Sequence, residues 1–502
     1  MAEKVINIVN FVRACEPRTY VDLVTPIREE LRLCRENGLP NTVLVQYDTM
    51  LNDELMDVVL QAQSDGSEIG VWFEVVKPLT DQCGLPWRGR EGWAWDWHIV
   101  PGFLMAYTQA ERRALCDEVM RLFREKFGAY PLSVGSWLLD SYSMEYMSRN
   151  YGIKAFCVCR DQDNTDAYTL WGGYFNGPYY PSRINMISPA VDIKNAIRTP
   201  CFRMLTPDPI YNYLNSVAPK GERIPCTLEP VWASGQNRHT VDWYFDEVLS
   251  DLTVGYGYMQ VGQENSFGWD RIGKGLPYQI EKVVEVRNSK RAVVKTLGQS
   301  GIDFLAAHGE NIPESLVADS DWRGNPYKSA WYMTKYYRAN VFAEGDKLYF
   351  RDIHKNSDKY EEEHYSVPCP SWKATYDTLP VSDKWNFFDE NDDGIISLDG
   401  TFENIVLSAH GDSFTVTASS ASGDVAIELD ESCITVRGAS LTFEAKPSVR
   451  EGITVQNDRV TYTHNGLSYS VGIDGRAEKT GKGYRIDGID GVIRLNMSLS
   501  ED

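Results

Sequence analysis

The sequence predicts an α/β chain: a (β/α)7-type barrel, a helical segment, and an all-β C-terminal sandwich. Over the first 280 or so residues, short β-branched runs alternate with amphipathic stretches, which is the pattern of successive βα units. From about Asp346 the pattern becomes period-two alternation broken by turn residues, as in SFTVTA, VAIEL, ITVRG, LTFEA, VTYTH and YSVGI, the signature of an antiparallel sandwich. A chain of 502 residues also exceeds what a single core serves.

In chain order, strands are expected over 5–11, 42–46, 68–73, 132–137, 155–159, 225–228 and 257–261. Helices are expected over 25–36, 52–63, 108–127, 144–151 and 240–251. Such units close as a barrel, which gathers the residues following each strand at one rim. An open doubly wound sheet would need a glycine-rich phosphate turn, and the first βα unit has no G-x-G-x-x-G. Residues 278–297 and 325–340 read as helices. The expected organisation is therefore a barrel over 1–277, a helical segment over 278–341 and a sandwich over 342–502, with a subdivision near Asp392.

The net charge of −21 argues against a nucleic-acid or anionic-membrane partner, since phosphate contacts require clustered Lys and Arg. The start, MAEKVINIVNFVRA, lacks the cationic and long apolar regions of a secretory signal, and no apolar run is long enough to span a bilayer. A cytoplasmic, bacterial-type protein is expected. Its ten Cys have no paired framework and read as reduced, mostly buried thiols. Fourteen Trp and 28 Tyr suit a protein that stacks rings on sugar faces.

Candidate chemistry concentrates where acidic residues follow strands. In VGSWLLDSYSMEYMSRNYGIKAFCVCRDQDNTD (134–166), the strand ending near Trp137 delivers Asp140 to the rim, and the next one ends in Cys159, Arg160 and Asp161. Asp140 also precedes a helix, where it would serve as an N-cap. After the last barrel strand comes GYMQVGQENSFGWD, which carries Glu264 and Trp269.

These two segments resemble glycoside hydrolase family 57 and its relatives in the family 38 and polysaccharide-deacetylase barrel superfamily. The motif G-x-W-L-x-D is similar to the family 57 G-x-W-L-P-E segment, with Asp140 in place of Glu and Leu139 in place of Pro. The segment around Phe267 is similar to D-G-E-x-F-G-x-W, with Gln263 at the Asp position and Glu264 beside it. The resemblance implies a glycoside hydrolase working by retention, with Asp140 as nucleophile and Glu264 as acid/base. Two carboxyl groups suit glycoside cleavage: one faces an oxocarbenium-like state while the other protonates the leaving oxygen.

Other strand-end acids compete for contact with substrate: Glu16, Asp48, Glu74, Asp161, Asp163 and Glu229. Glu229 is the strongest substitute because Pro230 and Trp232 imply a shaped pocket, while Asp48 and Glu74 are expected to hold hydroxyls. The loop WRGREGWAWDWHIVPG brings Trp87, Trp93, Trp95 and Trp97 together with Asp96 and His98, and reads as a stacking platform; the loop around Trp171 reads as a second wall.

The superfamily's deacetylases hold a metal through one Asp and two His from an H-x-x-x-H segment. The seven His here include no such pair, so no metal and no cofactor is expected. DENDDGIISLDGT, from Asp389, resembles the start of a calcium loop, but Gly400 stands where a bidentate Glu belongs. The rival readings are a metal-dependent carbohydrate deacetylase and a non-catalytic carbohydrate-binding protein. The β-rich part is open to either of two roles, buttress or homo-oligomer interface.

Overall fold

Seven parallel strands, each short and rich in Val, Ile, Phe and Cys, build the N-terminal half of the computed structural model, which describes residues 2–217, 225–232, 235–388 and 395–499. They are β1 (Glu3–Val12), β2 (Thr42–Val45), β3 (Glu68–Trp72), β4 (Ser133–Gly135), β5 (Ala155–Cys159), β6 (Cys201–Met204) and β7 (Tyr256–Val261). The order across the sheet is β6-β5-β4-β3-β2-β1-β7, with a further short strand, β8 (Val293–Lys295), also paired to β1.

Between the strands run α1 (Val24–Glu36), α2 (Asp53–Ser64), α3 (Gln109–Phe127), α4 (Ser141–Tyr151) and α5 (Arg238–Val248), followed by α6 (Gly275–Asn288) and α7 (Leu297–Ala307). The helix starts follow from local chemistry. Thr108 closes a capping box with Glu111 ahead of α3, while Asn52 and Asn237 cap α2 and α5 through their side chains.

Alternation along the strands sorts side chains to two faces. Val5, Val9, Phe11, Leu44, Trp72, Cys157, Phe202, Met204 and Tyr258 form an inner cluster, closed at its N-terminal end by Leu297 and Phe304 of α7. Asn7, buried within the same strand, fixes that helix by donating to Ser300 Oγ at 2.8 Å and to the Lys295 carbonyl at 2.8 Å. Ile6, Ile8, Val43, Val45, Val71, Val134 and Phe156 belong to the larger core that includes the helices. The edge strands β6 and β7 share no ladder. Thr206 Oγ1 accepts from the Gln260 backbone at 2.8 Å, and the Asn176 amide donates to the Tyr258 carbonyl at 2.6 Å, bridging the seam.

The remainder is mostly antiparallel, apart from the strand Ala374–Asp377, which pairs in parallel with Tyr168–Trp171. One sheet starts at β9 (Glu314–Ala318), β10 (Tyr327–Met333), β11 (Tyr337–Glu344) and β12 (Lys347–Lys355); a second, of eight strands, comes entirely from residues after 400. Ile396, Leu441 and Ile486 of the first meet Val460, Val471 and Leu495 of the second, so the two sheets face each other as a sandwich.

Two local expectations are corrected. Residues 325–340 are not a helix but the β10–β11 hairpin, whose turn is held by Thr334 Oγ1 accepting from Tyr336 and Tyr337. Aromatic and β-branched residues at alternate positions, together with buried Arg338 and Asn340, favour extended backbone there. The stretch 278–341 thus holds helices only as far as Ala307. Second, residues 225–228 form a single bridge between Pro207 and Thr227 rather than a strand, and Pro225 has no N–H to give a ladder. The edge position goes instead to β6. Residues 389–394, the start of the acidic turn, lie outside the described residues. Among the described residues no helix is long and apolar enough to cross a membrane.

Candidate active site

The residues just beyond the strands meet at the C-terminal rim, as the barrel geometry requires. Phe11 stacks on Trp72 with ring centres 4.4 Å apart, and Trp137 stands edge-on to both. Trp137 also lines a cavity of about 430 Å³, within the range of small-molecule sites. Around it stand Glu16, Arg18, Trp137, Arg160, Asp166, Glu229, Glu264 and Arg271.

Arg13 organises one wall. The ends of β1 and β7 are locked together by Asn265, whose side chain accepts from the Arg13 backbone at 3.0 Å and donates back to the Arg13 carbonyl at 2.9 Å. Gly262 makes this approach feasible: its φ is +114°, and a Cβ there would lie 2.2 Å from the Val9 carbonyl oxygen. The Arg13 guanidinium then reaches the Glu264 carboxylate directly, lies 3.8 Å from Glu74, and sits 4.0 Å from the centre of the Trp95 ring. Burial works against its charge, but Glu264, Glu74 and Glu16 outweigh that and keep it a cation.

The acids differ in their surroundings. Burial raises Glu16, but hydrogen bonds from Arg18 outweigh it and leave the carboxyl below its ordinary value. Glu229 accepts from Thr227 Oγ1 at 2.9 Å and from Gln263 Nε2 at 3.0 Å. Asp166 lies on an exposed turn at φ +55°, yet its carboxyl faces the cavity and an adjoining recess lined by Trp95 and Trp97. Desolvation by these walls, then repulsion from Glu264, pushes it up.

The structure brings Glu264 and Glu229 to the cavity and Trp95 to its recess, and sets Glu74 behind Arg13, where it accepts from Trp72 Nε1 at 2.7 Å. Burial raises Glu74 and pushes Asp48 up to about 6; Asp48 accepts from the Ala14 backbone at 3.2 Å and so supports the β1 exit.

Asp140 is not brought there. It is 0% exposed, caps α4 by accepting from Ser143 N at 2.9 Å, and pairs with Arg112 at 2.8 Å. Two buried partners claim the carboxylate, and the cavity wall does not include it. Asp161 is likewise withdrawn, clamped by Arg203 at 2.6 Å and Arg338 at 2.5 Å. Arg338 continues to Asp352 at 2.9 Å, so the chain of charges ties the barrel to the first antiparallel sheet.

The tryptophan loop folds over itself. Asp96 holds Arg90 at 2.8 Å and His98 at 2.7 Å, Arg90 covers Trp93 and Trp97, and Trp97 stacks on His98. Cationic groups thus occupy ring faces expected to receive sugar. Trp171 is buried against Tyr213 and Trp385, while Trp232 and Trp269 are half-buried and outside the cavity wall.

The donor set at the rim does not fit a deacetylase metal. No histidine lines the cavity, and guanidinium groups stand among its carboxylates. Among the described residues, the one His/acid cluster with ligand spacing is Asp352, His354 and Asp383 in the antiparallel half, where His354 Nε2 and Asp383 are 2.7 Å apart.

Sequence reading missed Arg13, Arg18, Trp137, Asp166, Arg160 and Arg271. Arg13 and Arg160 each directly follow a strand, a signal equal to that of the acids; Asp166 sits in a hairpin turn with no such mark.

No family model and no curated protein matches the chain. Among solved structures, it is similar to a putative glycoside hydrolase/deacetylase from Parabacteroides distasonis, at 17% identity and a TM-score of 0.55, over 75% of this chain and 91% of that one. A putative polysaccharide deacetylase from Mycobacterium smegmatis aligns at 14% identity and a TM-score of 0.34, over 64% and 96% of the two chains. A GH57 branching enzyme from Thermococcus kodakaraensis aligns at 11% and 0.33, over 61% and 72%. At 17% identity the likeness to the first of these is one of fold.

Proposed function

We propose that the chain is a carbohydrate-active hydrolase that cleaves a glycosidic bond with Glu264 and Asp166. The observation supporting this is the presence, on one cavity at the barrel rim, of two carboxyl groups in opposite surroundings: Glu264 against the Arg13 guanidinium, and Asp166 pushed up by its walls and by Glu264. Such a division of environments assigns one carboxyl to hold a proton and the other to hold charge.

In this reading Asp166 donates its proton to the glycosidic oxygen as the bond to the anomeric carbon breaks. Glu264 faces the developing positive charge and bonds to that carbon. Water, deprotonated by Asp166, then displaces Glu264 and gives a product of retained configuration. Asp140, withdrawn into its pair with Arg112, takes no part.

A screen of aryl glycosides of both anomers, with the product anomer read by NMR, tests the proposal. Glu264→Gln and Asp166→Asn are each expected to lower the rate by about 10²- to 10⁴-fold. Full rate in both variants contradicts it. Sugar binding without any turnover by the unaltered protein would support the non-catalytic reading instead.

A further inference from the structure

Among the described residues, one buried cation at the cavity has no counter-ion. Arg160 follows β5, is 9% exposed, and lines the wall. Its Nη1 donates to the Asp161 carbonyl at 2.6 Å, while its Nε has no hydrogen-bond partner. Among the described residues no carboxylate approaches within 4.0 Å of it. The contrast with its neighbours is sharp: Arg13, Arg18, Arg112, Arg203 and Arg338 are each paired with an acid.

The groups around it do not take that place. Glu229 is the nearby acid, and its two oxygens already accept from Thr227 and Gln263. Cys159, Cys226 and Tyr244 are kept neutral by burial. Across the same cavity Arg271, which rests on the Phe267 ring at 4.6 Å, also lacks a carboxylate within 4.0 Å among the described residues. A buried guanidinium without a counter-charge is unfavourable, and an anionic ligand in the cavity relieves that.

Building on the carbohydrate reading of this site, we propose that the cavity takes a sugar unit carrying a compact oxyanion, a carboxylate or a sulfate ester, that pairs with Arg160. The planar guanidinium fork matches such a group through two parallel hydrogen bonds. On a chain of net charge −21, long-range attraction does not recruit an anion, so recognition rests on this local cation.

The test is binding to the full chain, by calorimetry, of methyl glucuronide, glucose 6-sulfate and methyl glucoside. One or both anionic ligands are expected to bind at least about tenfold more tightly than the neutral one, and which of them does so identifies the oxyanion. Arg160→Gln should reduce that preference to within about twofold. Without ligand it should melt no lower than the unaltered protein, because an unpaired buried charge has been removed. Arg160→Lys keeps the charge without the fork, and should lose more affinity for the carboxylate than for the sulfate.

The inference is overturned if the neutral sugar binds as tightly as both anionic ones, if no anionic sugar binds at all, or if Arg160→Gln keeps the preference. It is also overturned if that variant melts well below the unaltered protein, which would make Arg160 a structural group. Because the readout is binding, the two readings separate. A preference for the anionic sugar without turnover sinks hydrolysis alone, whereas turnover of neutral glycosides with no response to the oxyanion sinks this inference alone.

Discussion

Glu362 makes folding stability depend on pH through the neutral range. Its carboxyl is buried between α4 and the segment around Met186, accepting from Ser141 N and Met186 N, each at 2.8 Å. Burial, then repulsion from Asp140, pushes it up to about 8 from an ordinary 4.5. The folded protein therefore binds this proton more tightly than the unfolded chain does. The associated stability is complete below about pH 4.5 and is lost as pH rises through about 8. At about 1.4 kcal/mol per pH unit the total is on the order of 4 kcal/mol.

Asp48 and Asp208, pushed up to about 6 by burial, act in the same direction but finish near that pH. His308 and His364, held down by burial, act oppositely and below 6.5. Glu30 and Glu314, buried and pushed well above their ordinary value, add a decline of the same sign, so between about pH 6.5 and 8.5 Glu362 is read as the difference between the unaltered protein and Glu362→Gln. In Glu362→Gln the amide cannot accept from both backbone N–H groups, which costs about 1–3 kcal/mol at the acidic end. Its stability should nevertheless decline less steeply than that of the unaltered protein, so the two curves converge toward pH 8.5. Urea unfolding followed by tryptophan fluorescence at pH 6.5, 7.5 and 8.5 reads this. Parallel curves would refute the argument.

Other perturbations follow from the same geometry. Asp140→Asn breaks a fully buried ion pair with Arg112 and should cost about 3–5 kcal/mol, seen as a lower melting temperature, while kcat of the folded fraction stays within about twofold. Arg338→Met leaves Asp161 and Asp352 short of their shared partner; a loss of similar size in denaturant unfolding is expected, and an unchanged midpoint would remove the charge chain as a link between the halves. Arg13→Met removes the cation facing Glu264 and Glu74; leaving these buried carboxylates unpaired should lower the melting temperature, and kcat of the folded fraction, whose backbone lock through Asn265 is intact, should fall by about 10²-fold or more.

Much of the barrel was legible because its elements obey local rules. β5 occupies the five residues expected, and α3 begins one residue after its capping Thr108. The β10–β11 hairpin was misread because YKSAWYM and YRANVFAE also carry helix-compatible residues; the extended form is settled by Arg338 reaching Asp161, 177 positions away. At the site, Asp140 and Glu264 both follow strands in sequence, yet only Glu264 opens onto the cavity. What distinguishes them is Arg112 from α3, a partner that no spacing in the neighbourhood of Asp140 announces. Arg13 was overlooked for a related reason: besides its neighbour Glu16, its importance lies in Glu74 and Glu264, which fold against it from separate segments. Asp166 owes its character to walls contributed by other loops.

The claim on which the functional reading turns is that Asp166 supplies the proton and Glu264 the opposing charge. It is tested most directly by comparing Asp166→Asn with the unaltered protein on two glycosides of one sugar, one with a poor leaving group and one with a good one such as nitrophenol. If Asp166 is the donor, the variant should lose about 10²- to 10⁴-fold in kcat/KM on the poor leaving group and far less on the good one, and the alkaline limb of the pH–rate profile should disappear. Equal losses on both substrates, or an unchanged profile, would contradict the assignment.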